Sequence, residues 1–140
     1  EIPFWLDAYG PAVDRALQGP YPPQLTKPNK EEYASSQHWR RSGWVHRSDG
    51  GAGVDIIGTV GRWRVTPPPV TERNPIGSGD SYIAALAHAT LEDWPLERRF
   101  AYAAAAGAAN ASRDDVARVR PPDIAALVPG ARVEHSEEEA

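Results

Sequence analysis

Two glycines bracket a serine just ahead of the longest helical stretch in the chain. Asn74-Pro75-Ile76-Gly77-Ser78-Gly79-Asp80-Ser81 leads into a helix predicted from about Ser81 to Leu91. Glycine lets the backbone turn tightly and come close to a ligand. The first N–H groups of a helix have no internal acceptor, and the helix dipole adds positive potential there. The turn formed by Gly77, Ser78 and Gly79 therefore has the makings of an anion hole for a phosphoryl group. Asp80 would repel such a group, and its presence makes sense if it takes a proton from an attacking hydroxyl. Taken alone, the same residues also read as a loop followed by an ordinary acidic first turn. Glu92-Asp93-Trp94-Pro95 ends the helix, and an Ala-rich helix follows from about Leu96 to Ser112. Its small side chains allow close approach to a neighbour, as a buried helix in an α/β layer requires.

Upstream, short apolar segments alternate with helical ones. Ile2–Leu6 reads as a strand entered part-way along. A helix runs from Gly10-Pro11 to about Gln18, with proline in its first turn. Gln24–Lys27 is a second strand, Lys30 to about Gln37 a helix, and Gly43–Arg47 a third strand. Val54–Ile57 and Arg62–Thr66 read as a β-hairpin after the Gly-rich loop at 48–53. A last short helix is predicted at Asp123–Leu127, and residues 129–140 are expected to fray. This alternation predicts an α/β fold over residues 1–128.

Composition narrows the chemistry. The chain has no cysteine, so disulfides, thiolate metal sites and cysteine nucleophiles are excluded. With 15 basic and 19 acidic residues it carries a formal charge of -4, which argues against a general nucleic-acid binder. No apolar run reaches the ~20 residues of a membrane span. The start does not read as a signal peptide, and a cytoplasmic enzyme fits these features. No Gly-x-Gly-x-x-Gly opens a helix after the first strand, which weakens a generic dinucleotide-binding reading.

Two further segments carry polar groups in suggestive positions. Lys27 falls at the C-terminal end of a strand, where open α/β sheets bind ligands. Asn29 and Glu32 follow, three residues apart. They suit a hydrated Mg²⁺, which takes oxygen ligands and keeps several waters. They equally suit a helix capping box with no metal. Ser48-Asp49-Gly50-Gly51-Ala52-Gly53 offers bare backbone to a nucleotide, or is simply a turn.

The order of these pieces, Lys-Pro-Asn-x-x-Glu, Gly-rich loop, hairpin, Gly-Ser-Gly-Asp helix and Ala-rich helix, resembles the C-terminal half of ribokinase-like carbohydrate kinases of the phosphofructokinase B type. Asn29 and Glu32 match that family's Asn-x-x-Glu motif. Gly77 to Asp80 match its Gly-Ala/Ser-Gly-Asp signature, and Ser48 to Gly53 its nucleotide loop. The wording is most similar to the 1-phosphofructokinase and tagatose-6-phosphate kinase branch. The resemblance implies the C-terminal portion of a three-layer α/β/α fold and transfer of phosphate from ATP to a hydroxyl of a sugar or sugar phosphate. Asp80 would be the base, and the Gly77, Ser78 and Gly79 N–H groups the anion hole. ATP would be held by Lys27, Ser48, Gly50, Gly51, Gly53 and Asn110, the last near the adenine. Mg²⁺ would be held through Asn29 and Glu32. Relatives are about twice as long, and their N-terminal half, which normally supplies most sugar contacts and a lid that forms the dimer interface, has no replacement here; the partners implied are ATP, a sugar or sugar-phosphate substrate, and either a second copy in a homodimer or a missing N-terminal half. The alternative is a truncated relative that binds nucleotide or a protein partner without catalysis. Arg73 and Asn74 stand where relatives carry an Asp-Thr-like pair near a monovalent-cation site, so no potassium is assigned.

Overall fold

The computed structural model describes residues 2–136 and divides into two compact units. Of the described residues, the first comprises 2–50, 54–64 and 135–136, and the second 51–53 and 65–134. Among the described residues, no helix is long and apolar enough to cross a membrane.

The first unit is built on strands β1 (Trp5–Leu6), β2 (Leu25–Thr26), β3 (Trp44–Ser48) and β4 (Val54–Gly58). Gly61–Arg64 of β5 (Gly61–Thr66) and His135–Ser136 of β6 (Arg132–Ser136) also belong to it. Strand order in the sheet equals chain order, β1-β2-β3-β4-β5-β6. β1, β2 and β3 pair in parallel, and β3 pairs antiparallel with β4, Val45 opposite Ile57 and Ser48 opposite Val54. A parallel pair needs a crossover. The β1–β2 crossover is helix α1 (Pro11–Gln18), which buries Val13 and Leu17. The β2–β3 crossover was expected to hold a helix from Lys30 to Gln37. It holds only one turn, α2 (Lys30–Tyr33), and then a 3-10 turn at Trp39–Arg41. The reason is packing. Trp39 turns inward, stacks on Tyr33 at 5.6 Å and donates its indole N–H to the Tyr33 carbonyl at 2.7 Å. It joins Val13, Leu17 and Val45 in the core.

On the same face of the strands as Val45 and Ile57, Asp55 of β4 accepts from Arg47 of β3 at 2.8 Å and from Arg64 of β5 at 2.7 Å. Partial burial pushes this carboxyl's pKa up, but the two guanidinium hydrogen bonds and charges outweigh it and hold the carboxyl below its ordinary value. His46 of β3 is only 1% exposed. Burial first, and the Lys27 charge second, push its imidazole down to about 3. This sets the sign of a pH effect. Between the ordinary histidine value of 6.5 and about 3, the unfolded chain binds a proton that the folded chain refuses. Stability from His46 is therefore complete above pH 6.5 and falls as the pH drops, by at most about 1.4 kcal/mol per unit. Urea unfolding at pH 7 and pH 5 should show a loss near 2 kcal/mol that His46→Gln removes, a slope shared with the wild type counting against it.

The second unit is helical. α3 (Ser78–Leu91) and α4 (Leu96–Ala111) are its long helices, followed by α5 (Pro121–Leu127). α4 buries Phe100 and alanines 103, 104, 105, 106, 108 and 109. Each buried methyl contributes only about 0.8 kcal/mol, but a face of methyls lets helices approach closely. Ala85 of α3, Ala105 and Ala106 of α4, and Ile124 of α5 form one buried cluster, with Tyr102, Val119, Leu127 and Val128 packed on it. The C-terminal segment differs from expectation. Residues 132–136 form β6 instead of fraying, and His135 stacks on Trp63 with ring centroids 4.4 Å apart. Residues 137–140 lie outside the described residues.

Candidate active site

α3 starts three residues earlier than its sequence pattern suggested, and this places the signature residues. Gly77 is the N-cap, at φ 85 in the left-handed region. An added Cβ there would meet Val116 Cγ1 at 2.7 Å, so conformation first and space second favour glycine. Ser81 donates its N–H to the Gly77 carbonyl at 2.9 Å, the first helical bond. Ser78, Gly79 and Asp80 are thus the first three helical residues, whose N–H groups have no intrahelical acceptor. One of them is already spent: the Ser78 N–H donates to the Pro75 carbonyl at 3.1 Å. Of the Gly77, Ser78 and Gly79 N–H groups expected to form an anion hole, the Ser78 one already has a backbone acceptor. The Pro75 turn that launches the helix takes the middle donor. The Asp80 side chain is exposed at the helix start.

The approach to this turn is tied to the end of α4. The Ala111 carbonyl accepts from Arg73 N at 2.7 Å and Asn74 N at 3.1 Å. Asn74 Oδ1 accepts from Ile76 N at 3.1 Å, and Asn74 Nδ2 donates to the Asp114 carbonyl at 3.2 Å. Asn110 was expected to lie against the adenine. It is instead wholly buried, 0% exposed. Its Nδ2 donates to the Ile76 carbonyl at 2.8 Å and Ser78 Oγ at 3.0 Å, and its Oδ1 accepts from Ala117 N at 2.7 Å. An amide engaged on both sides is not left to read a base, so a direct adenine contact from Asn110 is withdrawn.

A groove of about 450 Å³ runs from Asp80 along α3, bounded by Ser81, Ala84 and His88 on that helix and by Tyr102 and Val119 opposite. Sequence reasoning did not single out this groove. Its signal was the four-residue spacing of Asp80, Ala84 and His88, which puts them on one helix face. His88 itself meets Trp94 edge-on at 5.6 Å, a packing role.

In the first unit, β2 carries Lys27 and Asn29 to the end of β3. Asn29 and Ser48 form an isolated parallel bridge, and the Ser48 N–H donates to the Pro28 carbonyl at 3.0 Å. The Lys-Pro-Asn segment and the start of the Gly-rich loop are thus held side by side. Asn29 and Glu32 form a full capping box. Asn29 Oδ1 accepts from Glu32 N at 2.8 Å, and Glu32 Oε2 accepts from Asn29 N at 2.9 Å. Direct chelation by this pair is disfavoured, since one oxygen of each caps α2. A carboxylate has about four acceptor positions, so Glu32 retains capacity to orient waters around a hard cation. The pair fits an outer-sphere Mg²⁺ role. Arg47, also missed by sequence reasoning, lies over the Tyr33 ring at 4.9 Å. Gly50 starts the 3-10 turn Gly50–Ala52, and Gly53 sits at φ 121, a conformation side chains disfavour. Gly51 has nothing within 4 Å of where a Cβ would stand, so neither space nor φ explains a glycine there.

The pfkB family carbohydrate kinase model matches residues 19–121 of the chain, well over half of it. The chain belongs to the pfkB carbohydrate kinase family. Among solved structures, this pfkB chain is similar to a Staphylococcus aureus protein described as a candidate phosphofructokinase. The TM-score is 0.83 at 24% identity, covering 98% of this chain and 49% of that one. Phosphofructokinase-2 from Escherichia coli, in complex with substrates and products, matches with TM-score 0.79 at 24% identity, covering 91% and 47%. A Thermotoga maritima protein described as a possible 1-phosphofructokinase matches with TM-score 0.79 at 14% identity, covering 96% and 48%. These likenesses establish a mixed α/β fold of the same kind. The pfkB chain spans about half the length of each of these structures.

Proposed function

We propose that this pfkB chain supplies the nucleotide-binding and catalytic half of an ATP-dependent kinase that phosphorylates a hydroxyl of a sugar or sugar phosphate. The observation that carries the reading is the exposed Asp80 carboxylate in the first turn of α3, directly after a left-handed Gly77 that no other residue can replace without strain. Asp80 accepts the proton of the acceptor hydroxyl as its oxygen attacks the terminal phosphorus of ATP; the bond from that phosphorus to the β–γ bridging oxygen breaks, and ADP leaves. The Gly77, Gly79 and Asp80 N–H groups and the Ser78 hydroxyl receive charge on the transferring phosphoryl group. Lys27 steadies the phosphates, and the Ser48–Gly53 loop offers backbone to the nucleotide. Glu32 and Asn29 would hold hydrated Mg²⁺, which would neutralise phosphate charge when bound. Little covalent work is left to the protein, so positioning and electrostatics carry the rate. We read β4 and β5 as the hairpin that follows the nucleotide loop. The sugar-phosphate branch, with fructose 1-phosphate, fructose 6-phosphate or tagatose 6-phosphate as acceptor, is favoured by the Asn74-to-Asp80 wording and by the likeness to phosphofructokinase-2 and to a possible 1-phosphofructokinase.

One observation favours a second reading. Because the chain spans only half the length of the solved kinases, it could bind nucleotide without transferring phosphate. Calorimetric titration with Mg-ATP, followed by a transfer assay with the three sugar phosphates, separates the two. Saturable binding with turnover supports the kinase. Binding without turnover, even when an N-terminal half of a pfkB kinase is added, supports the second reading. Absence of binding up to millimolar Mg-ATP removes both.

A further inference from the structure

We infer that Asn110 is the positioning residue of the anion hole: it turns the Ile76–Gly77 peptide so that the Gly77 N–H faces the phosphoryl group. The inference rests on the proposed phosphoryl-binding role of the α3 amino end and goes beyond it. In a trans peptide the carbonyl and the following N–H point in opposite directions, and the chain has no cis bond among the described residues. Asn110 Nδ2 holds the Ile76 carbonyl at 2.8 Å, so the Gly77 N–H is directed away from Asn110. The second Nδ2 hydrogen goes to Ser78 Oγ at 3.0 Å. With a lone pair so occupied, Ser78 meets a ligand as a hydroxyl donor.

The orientation of the amide is not arbitrary. Ala117 N can only donate and the Ile76 carbonyl can only accept, so oxygen must face the first and nitrogen the second. The same side chain therefore joins the anion turn to the segment after α4. Ala117 holds a left-handed φ of 54, a costly conformation for a residue with a Cβ, and this aims its N–H at Asn110. A helix-terminal residue needed only for packing would require none of this. Asn110 carries three hydrogen bonds in a face otherwise built of alanine methyls.

The test is an NMR titration of the isotope-labelled chain with inorganic phosphate. The side-chain NH₂ resonances of Asn110 should shift with the same midpoint as the backbone amides of residues 77–80. Asn110→Leu removes all three bonds, and Asn110→Asp keeps the acceptor but loses the paired donors. Each should raise the phosphate midpoint about tenfold, the cost of one lost hydrogen bond of ~1.4 kcal/mol. Amides 77–80 responding while the Asn110 pair stays still would overturn the role, as would folded variants that bind phosphate like the wild type. If neither variant folds, the wild-type titration decides alone. Silence of amides 77–80 would sink the phosphoryl-binding reading itself, and the Asn110 role with it.

Discussion

Asp80→Asn is expected to slow phosphoryl transfer by roughly 10²–10⁴-fold, the range a positioned general base contributes, while Mg-ATP binds as well or slightly more tightly. The two halves of this expectation have one cause. The carboxylate stands in the first helical turn beside the donors that would hold phosphate, so it repels the nucleotide it serves. Removing its charge relieves that repulsion and removes the proton acceptor. Loss of a first-turn acid costs the helix only about 0.3–1 kcal/mol, too little to unfold it. The measurement is a paired assay: affinity for Mg-ATP by calorimetry, and turnover with sugar phosphate, using the chain alone and with an added N-terminal half. A variant that turns over at the wild-type rate would show that Asp80 is an ordinary helix-start acid. A variant that loses nucleotide binding would show a role in holding the nucleotide instead.

The largest structural effect belongs to Gly77→Ala. Alanine at φ 85 costs about 1–2 kcal/mol. Its methyl would lie 2.7 Å from Val116 Cγ1, but Val116 is 44% exposed and has room to turn aside, so the contact adds about 1 kcal/mol, the low end for overpacking. A total of about 2–3 kcal/mol is expected in urea unfolding, with loss of phosphate response in amides 77–80. The two contributions can be separated. Val116→Ala opens space without changing φ, so the double variant should recover the steric part and keep the conformational part. Full recovery in the double variant would mean that the left-handed conformation carries no cost. No recovery would mean that the valine contact carries none.

Much of this architecture was legible in the sequence, for reasons that differ by element. α1 was found with its boundaries because Gly10-Pro11 and Gly19-Pro20 punctuate it. The strands were placed to within a few residues because short apolar runs end at turn residues. The α2 helix was overextended because its sequence is helix-compatible to Gln37, and only the burial of Trp39 against Tyr33 stops it. β6 was missed because Arg132–Ser136 is polar, with four of its five residues exposed, and reads as a tail. In the site, residue types were legible but their hydrogen-bonding duties were not. Nothing in Gly-Ser-Gly-Asp says that Pro75 claims the Ser78 N–H, and nothing in an Ala-rich helix says that its single asparagine turns toward a loop more than thirty residues earlier. Spacing identifies which groups can act. Only the packed backbone decides which donors are already committed.

The ordering of β1 to β4, each beside its immediate predecessor, bears on how the protein is made. No strand in this series must wait for a partner encoded far downstream. Each can dock as it leaves the ribosome, on an edge already in place, and the loop to be closed at each step stays short. Synthesis from the amino end and accretion of the sheet proceed in the same direction, so each new strand of this series adds at the one growing edge.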